Sequence, residues 1–164
     1  MSRFFLLAGL VVLVYANSLQ GSFHYDDFHS LLDNPHLRSL GQVLAFFVDP
    51  GYFSADPDKA MYRPFLLVTY ALNYAIGGYA TLGYHLVNLA LHLGCALLVW
   101  RIGMQGGAGQ RGAWAAALLF GLYPLATEPV NYLSSRSESL AALGYLGSLS
   151  LFLERRQGLA LGCF

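Results

Sequence analysis

Charge is scarce in this chain of 164 residues: Asp, Glu, Lys and Arg together make up 11%, against roughly 25% in an ordinary soluble domain. So few charges cannot build a water-facing shell, which excludes an ordinary soluble enzyme. A disordered tail is excluded as well, because the chain is too apolar. No sign dominates either. Nine basic residues stand against nine acidic ones, so no global positive field attracts a phosphate backbone, and nucleic acid is excluded as a partner. Cysteine is limited to Cys95 and Cys163, each in apolar sequence. Both read as packing residues and carry no information on redox compartment. There is no internal repeat, and the glycine-rich stretch 103–109 has no lysine, strand context or phosphate-binding pattern behind it, so it reads as a flexible loop.

What the chain has in quantity is apolar sequence. The residues AVILMFWYC reach 56% before the 18 glycines are counted, whereas soluble domains average about 45–50% with glycine included. The fold class is therefore all-α integral membrane, with about four transmembrane helices. Apolar runs at 4–19, 81–101, 112–130 and 133–153 are read as spans, each compared with the roughly 20 residues that cross about 30 Å of hydrocarbon. The first run could also serve as a signal peptide, but the apolar segments that follow make a retained anchor the simpler reading. The polar stretch between the first two spans, 20–80, is a long loop expected to hold two interfacial helices. One is amphipathic, 36–48, with Leu37, Leu40, Val43, Leu44, Phe47 and Val48 at helical spacing. The other is half-inserted, 64–79, with Pro64 in its first turn and Thr69, Tyr70, Asn73 and Tyr74 in helical register. After Arg155 and Arg156, residues from 158 onward read as the opening turns of a truncated further span. The chain is treated as a single membrane domain, 1–164.

Charge sorting sets the expected orientation. With both termini cytoplasmic, Arg3, Arg101, Arg111, Arg155 and Arg156 lie inside with Glu154, a net of +4, and the remaining four bases and eight acids lie outside, a net of −4. This is the positive-inside pattern. It makes the first loop external, either periplasmic or luminal, with Asp56 outside and Gly107 inside.

Four polar groupings could carry chemistry. Asp26 and Asp27, in the run His24-Tyr25-Asp26-Asp27-Phe28-His29, point in different directions on any regular backbone, so one can face a site while the other braces a loop. They could hold a divalent cation, act as a base toward a sugar hydroxyl, or simply balance charge in a solvated loop. His85, Asn88 and His92 fall on one helical face, and that face is expected to meet neighbouring helices, a cavity or a bound head group rather than lipid. Arg63, before Pro64, could hold a phosphate at the free amides of the helix start or reach lipid phosphate. Glu128 is an external acid, and Arg136 is expected to pair with it or with an acid of the first loop.

In order along the chain, Tyr25-Asp26-Asp27-Phe28 with Asn34-Pro35, Tyr62-Arg63-Pro64, Leu72-Asn73-Tyr74, Gly83-Tyr84-His85 through His92, and Tyr123-Pro124 through Val130 before Arg136 resemble the N-terminal part of the multi-spanning GT-C glycosyltransferases. The likeness is nearest to the protein O-mannosyltransferase-like branch whose members carry C-terminal tetratricopeptide repeats, and it covers roughly residues 4–156. The resemblance implies a partial GT-C fold and an inverting transferase with a polyprenyl-phosphate sugar as donor. It implies that Asp26 or Asp27 is the catalytic base or an ion-binding group near the acceptor, with Glu128 as the second external acid and Arg136 close by. Arg63 would lie near the lipid-linked phosphate, and His85, Asn88 and His92 would shape the outer cavity. Members of that family have more than twice as many spans, so the chain is expected to be inactive or incomplete alone. The alternative is an accessory or structural subunit of a larger membrane complex. Its partners are then a lipid-linked sugar and an acceptor, or other membrane subunits.

Overall fold

The computed structural model describes residues 2–155 and 157–163, and among these every regular element is a helix or a tight helical turn. The α-helices are α1 (Ser2–Val14), α2 (Pro64–Gly77), α3 (Thr81–Gln105), α4 (Gly109–Leu122), α5 (Glu128–Asn131), α6 (Arg136–Leu153) and α7 (Gln157–Cys163). At 25 residues, α3 is long and apolar enough to cross a membrane; at 1.5 Å per residue it measures about 37 Å. Phe4–Val14 and Pro64–Gly77 are shorter apolar helices. The chain is a membrane-associated helical domain built around that one spanning helix. Arg156, one of the cytoplasmic charges in the expected topology, lies outside the described residues, and so does the side chain of Arg3.

The helices around α3 run in alternating directions, as their side-chain contacts show. Phe4 of α1 packs edge-on against Trp100 of α3 and Trp114 of α4, whereas Tyr15, just past the other end of α1, packs against His92 and donates to the Tyr123 carbonyl. Helix α4 therefore lies antiparallel to α3 and parallel to α1. Helix α6 runs parallel to α3, with Arg136 bonded to Asn88 near one end, and Gln105 bonded to Ser150 and Arg101 to Glu154 near the other. The α3–α4 crossing is tight. A β-carbon added at Gly103 would lie 3.0 Å from both Cα and Cβ of Ala113, tighter than most real contacts, so a larger residue there would have to push the two backbones slightly apart. Leu7, Val11, Tyr15, Leu89, Ala96, Trp114, Ala117 and Val130 form the core of this bundle.

A second core lies under the long loop. It joins Leu31, Leu37, Phe46 and Phe53 of the loop to Leu66, Leu67, Tyr70 and Ala71 of α2, Tyr84 of α3 and Leu133. Three Asx-Pro pairs shape the loop. Asn34, Asp49 and Asp56 each accept the backbone N–H two residues on, and the following proline begins a short 3-10 turn: Pro35–Arg38, Pro50–Phe53 and Pro57–Lys59. The fully buried Asn34 also sets its amide nitrogen within 3.2 Å of the carbonyls of Ser30, Tyr52 and Phe53. The amphipathic helix expected over 36–48 is not continuous. It is replaced by three 3-10 turns, Pro35–Arg38, Leu40–Gln42 and Ala45–Phe47, because the Ser39 hydroxyl takes the Gly41 N–H and competes with helical pairing. The segment still divides by polarity: Leu37 and Phe46 are buried, while Leu44 and Val48 are exposed. The expected helix over 64–79 is present as α2, opened by Pro64.

Candidate functional site

At the end of the bundle under the long loop, a cavity of about 280 Å³ opens between the loop, α2 and the start of α6. Asp26, Glu128 and Glu138 supply carboxylates to its wall, Lys59 and Arg63 supply cations, and Phe53, Met61 and Leu66 supply an apolar side. Such a mixture suits a ligand that is part anionic, part hydroxylated and part apolar. Arg63 lies over the Phe53 ring and donates to the Ser137 hydroxyl at 3.1 Å, so its guanidinium is held without a carboxylate partner among the described residues. Tyr132 accepts the backbone N–H of Asp26 at 2.9 Å. Burial pushes the Tyr132 phenol above its ordinary pKa, and the Asp26 charge adds to the rise; the group is a neutral donor at physiological pH.

The adjacent carboxylates divide their roles. Asp26 is exposed and lines the cavity, and its Oδ1 lies 3.3 Å from His29 Nε2. Asp27 is 1% exposed. Its Oδ1 accepts from the Ser134 amide at 2.8 Å and the Ser134 hydroxyl at 2.6 Å, while Oδ2 accepts from the His24 amide at 2.9 Å. Asp27 is therefore a clamp between the first loop and the approach to α6. Three of the four lone-pair directions of Asp27 are thereby occupied, so Asp26 is the more open of the two carboxylates. Among the described residues no group of three His, Cys, Asp or Glu side chains is placed to hold one metal ion.

The other expected residues lie in the bundle interior and do not line this cavity. Arg136 is fully buried and pairs with no acid. It donates to Asn88 Oδ1 at 2.7 Å, Thr69 Oγ1 at 3.1 Å, Asn73 Oδ1 at 2.7 Å and the Tyr84 carbonyl at 2.8 Å. The rings of Tyr70 and Tyr84 flank its guanidinium at 4.8 and 5.6 Å. The pairing expected with Glu128 or a first-loop acid is thus replaced by neutral acceptors from α2 and α3. Asn88 also points its amide toward the carbonyls of Pro129 and Tyr132. His92 faces the Gly121 carbonyl at 3.1 Å and stacks on Phe120. His85 is buried with no well-formed hydrogen bond on either ring nitrogen among the described residues, although the Gly21 and Val130 backbones lie beside it, and a β-carbon at Gly21 would lie 2.7 Å from its Nε2. The stripe faces protein rather than lipid, and two of its three members are satisfied by neighbouring elements.

The chain is similar in sequence to several protein O-mannosyl-transferases. It is 30% identical to a protein O-mannosyl-transferase of Caenorhabditis elegans over 158 residues, which is 93% of this chain and 23% of that protein. It is 33% identical to the Drosophila melanogaster protein O-mannosyl-transferase Tmtc1 over 144 residues, 85% of this chain and 16% of the relative. Human protein O-mannosyl-transferase TMTC1 is 32% identical over 164 residues, 96% of this chain and 18% of the relative. At the family level, this chain matches the TMTC-type protein O-mannosyl-transferases. The TMTC match spans less than a quarter of the length of these relatives. No family model and no solved structure matches the chain.

Several residues of the cavity wall are not marked out by the sequence alone. Lys59 closes the short turn begun by Pro57. Tyr132, Ser134, Ser137 and Glu138 lie in a polar run just before and at the start of α6, and that density of polar groups beside an apolar helix is the signal that could have found them. His29 lies beside the acidic pair with no signal of its own.

Proposed function

We propose that this chain is the N-terminal part of an inverting glycosyltransferase that uses a polyprenyl-phosphate sugar and is incomplete as a catalyst alone. The observation that supports this best is the single cavity joining the exposed Asp26 carboxylate to Lys59 and Arg63. In this reading Asp26 takes the proton from an acceptor hydroxyl as the oxygen lone pair forms a bond to the anomeric carbon. The bond from that carbon to phosphate oxygen breaks, and its electron pair leaves on the lipid phosphate. Arg63 and Lys59 stabilise the departing charge. The proton ends on Asp26 and the sugar carbon is inverted. Glu128, on the same wall, helps to place the acceptor. No step is routed through a metal.

In this reading the domain has four spans formed by α1, α3, α4 and α6, with the long loop outside and both ends of the matched segment inside. The alternating helix directions support that arrangement, as does the charge asymmetry. Helix α2 lies at the membrane surface beside the cavity.

The test is transfer by the full-length protein in lipid nanodiscs, supplied with polyprenyl-phosphate mannose and a mixture of Ser/Thr peptides. Asp26→Asn is expected to lower turnover by about 10²- to 10⁴-fold, the usual contribution of a general base. Near-normal turnover in that variant sinks the assignment. One observation favours the accessory reading: Asp27, Asn88, His92 and Arg136 all hold elements together. A defined complex with other membrane chains on mild-detergent purification, without transfer by the assembly, would support that role instead.

A further inference from the structure

His29 sits between two polar groups that have no other common purpose in the loop. Its Nε2 lies 3.3 Å from Asp26 Oδ1 and its Nδ1 lies 2.9 Å from Ser54 Oγ. Ser54 is buried, and its oxygen already accepts the Asp56 backbone N–H at 2.9 Å. The hydroxyl hydrogen of Ser54 is thus available to His29 Nδ1, which places the proton of a neutral imidazole on Nε2, directed at Asp26. The Phe53 ring packs 6.4 Å from the imidazole and limits its rotation. The result is a chain of donors from the Asp56 amide through Ser54 and His29 to one oxygen of Asp26.

We propose that His29 is a positioning residue for Asp26: held by Ser54, it fixes Oδ1 and leaves Oδ2 as the oxygen that meets the acceptor hydroxyl. This rests on the reading of Asp26 as the acceptor's base. The imidazole does two things for a carboxylate that is otherwise exposed. It restricts the rotamers of Asp26, which lowers the entropic cost of a productive approach. It also donates to Oδ1, which settles which oxygen of the carboxylate is engaged and which is open. A solvated aspartate has neither advantage.

The test combines a physical and a kinetic readout on the full-length protein in nanodiscs. In spectra of ¹⁵N-labelled histidine, with the His29 signal assigned by its loss in His29→Gln, the Nε2-protonated tautomer is expected at neutral pH. Asp26→Asn should move the His29 Nε2 resonance, since it replaces the acceptor that lies 3.3 Å away. An unmoved Nε2 resonance overturns the proposal. In transfer from polyprenyl-phosphate mannose, His29→Phe should reduce kcat about tenfold while the donor KM stays within about twofold, the pattern of a misplaced catalytic group. His29→Gln, which can still donate to Asp26 and accept from Ser54, should recover most of kcat. A full kcat in His29→Phe, with Asp26→Asn inactive, overturns the positioning role. Full activity in Asp26→Asn defeats the base assignment and the positioning role together, while a moved Nε2 resonance in that case still shows that the pair forms.

Discussion

Two carboxylates one residue apart face different surroundings because successive side chains leave a turning backbone in different directions. Asp26 points into the cavity, and Asp27 has its oxygens surrounded by two amides and a hydroxyl. Their substitution should therefore separate folding from activity. Asp27→Ala leaves three donors unsatisfied and should destabilise the domain by about 3 kcal/mol. Asp26→Ala should change stability by about 0.5 kcal/mol or less, as exposed sites do. Thermal unfolding of both variants in one detergent checks the contrast, and equal loss in the two would contradict it. Chemical type was legible from the sequence at this scale: the acidic pair, Asn88 and His92 of the α3 stripe and the arginine at the mouth of α6 lie at polar contacts. Which of Asp26 and Asp27 would be free was not legible, because Ser134, 107 residues further on, decides it. The partners of Arg136 were hidden for the same reason. They come from two other helices, and a linear reading looks first for an opposite charge.

At the scale of elements, the apolar runs become helices, since burial in a bundle or in lipid favours internally hydrogen-bonded backbone, but the run 4–19 is α-helical only to Val14 and the run 112–130 breaks after Leu122, before Pro124. The loop was harder to read. Its apolar residues recur at helical spacing, yet Asn34, Ser39, Asp49 and Asp56 each capture a nearby amide and break the segment into short turns. Local side-chain competition of this kind leaves the hydrophobic period intact, so periodicity alone does not reveal it. Arg136 is the counterpart device between helices, tying α6 to Asn73 and Thr69 of α2 and to Asn88 and Tyr84 of α3. Arg136→Met preserves much of the volume but orphans buried acceptors on both helices. A loss of about 3 kcal/mol or more is expected, with α2 separating from the bundle first. Hydrogen exchange should show α2 amides losing protection before those of α3; uniform loss across the bundle would argue against this role.

For the whole molecule, the proposed four-span orientation can be checked directly by labelling. In a background lacking Cys95 and Cys163, Asp56→Cys should react with an impermeant thiol reagent from outside. Ala108→Cys should react only after the membrane is opened. Ala108 is preferred to its neighbour because Gly107 has φ +80°, where a side chain is strained. Labelling of both from one side would refute the four-span arrangement.

The clamp between the first loop and the approach to α6 also bears on how the protein is made. Asp26 is tied to Tyr132 and Asp27 to Ser134, across 106 and 107 residues of chain. The loop leaves the ribosome early, but its two anchors arrive only after α2, α3 and α4 have been synthesised. Until then its unpaired acids and apolar side chains wait in solution or at the bilayer surface. At roughly 5–20 residues per second, that interval lasts about 5 to 20 seconds. Chains arrested shortly before residue 132 should be cleaved by protease within the segment 20–63, and chains arrested well beyond α6 should resist. The cavity thus closes only once the approach to α6 has emerged, although the other half of its wall is translated well before.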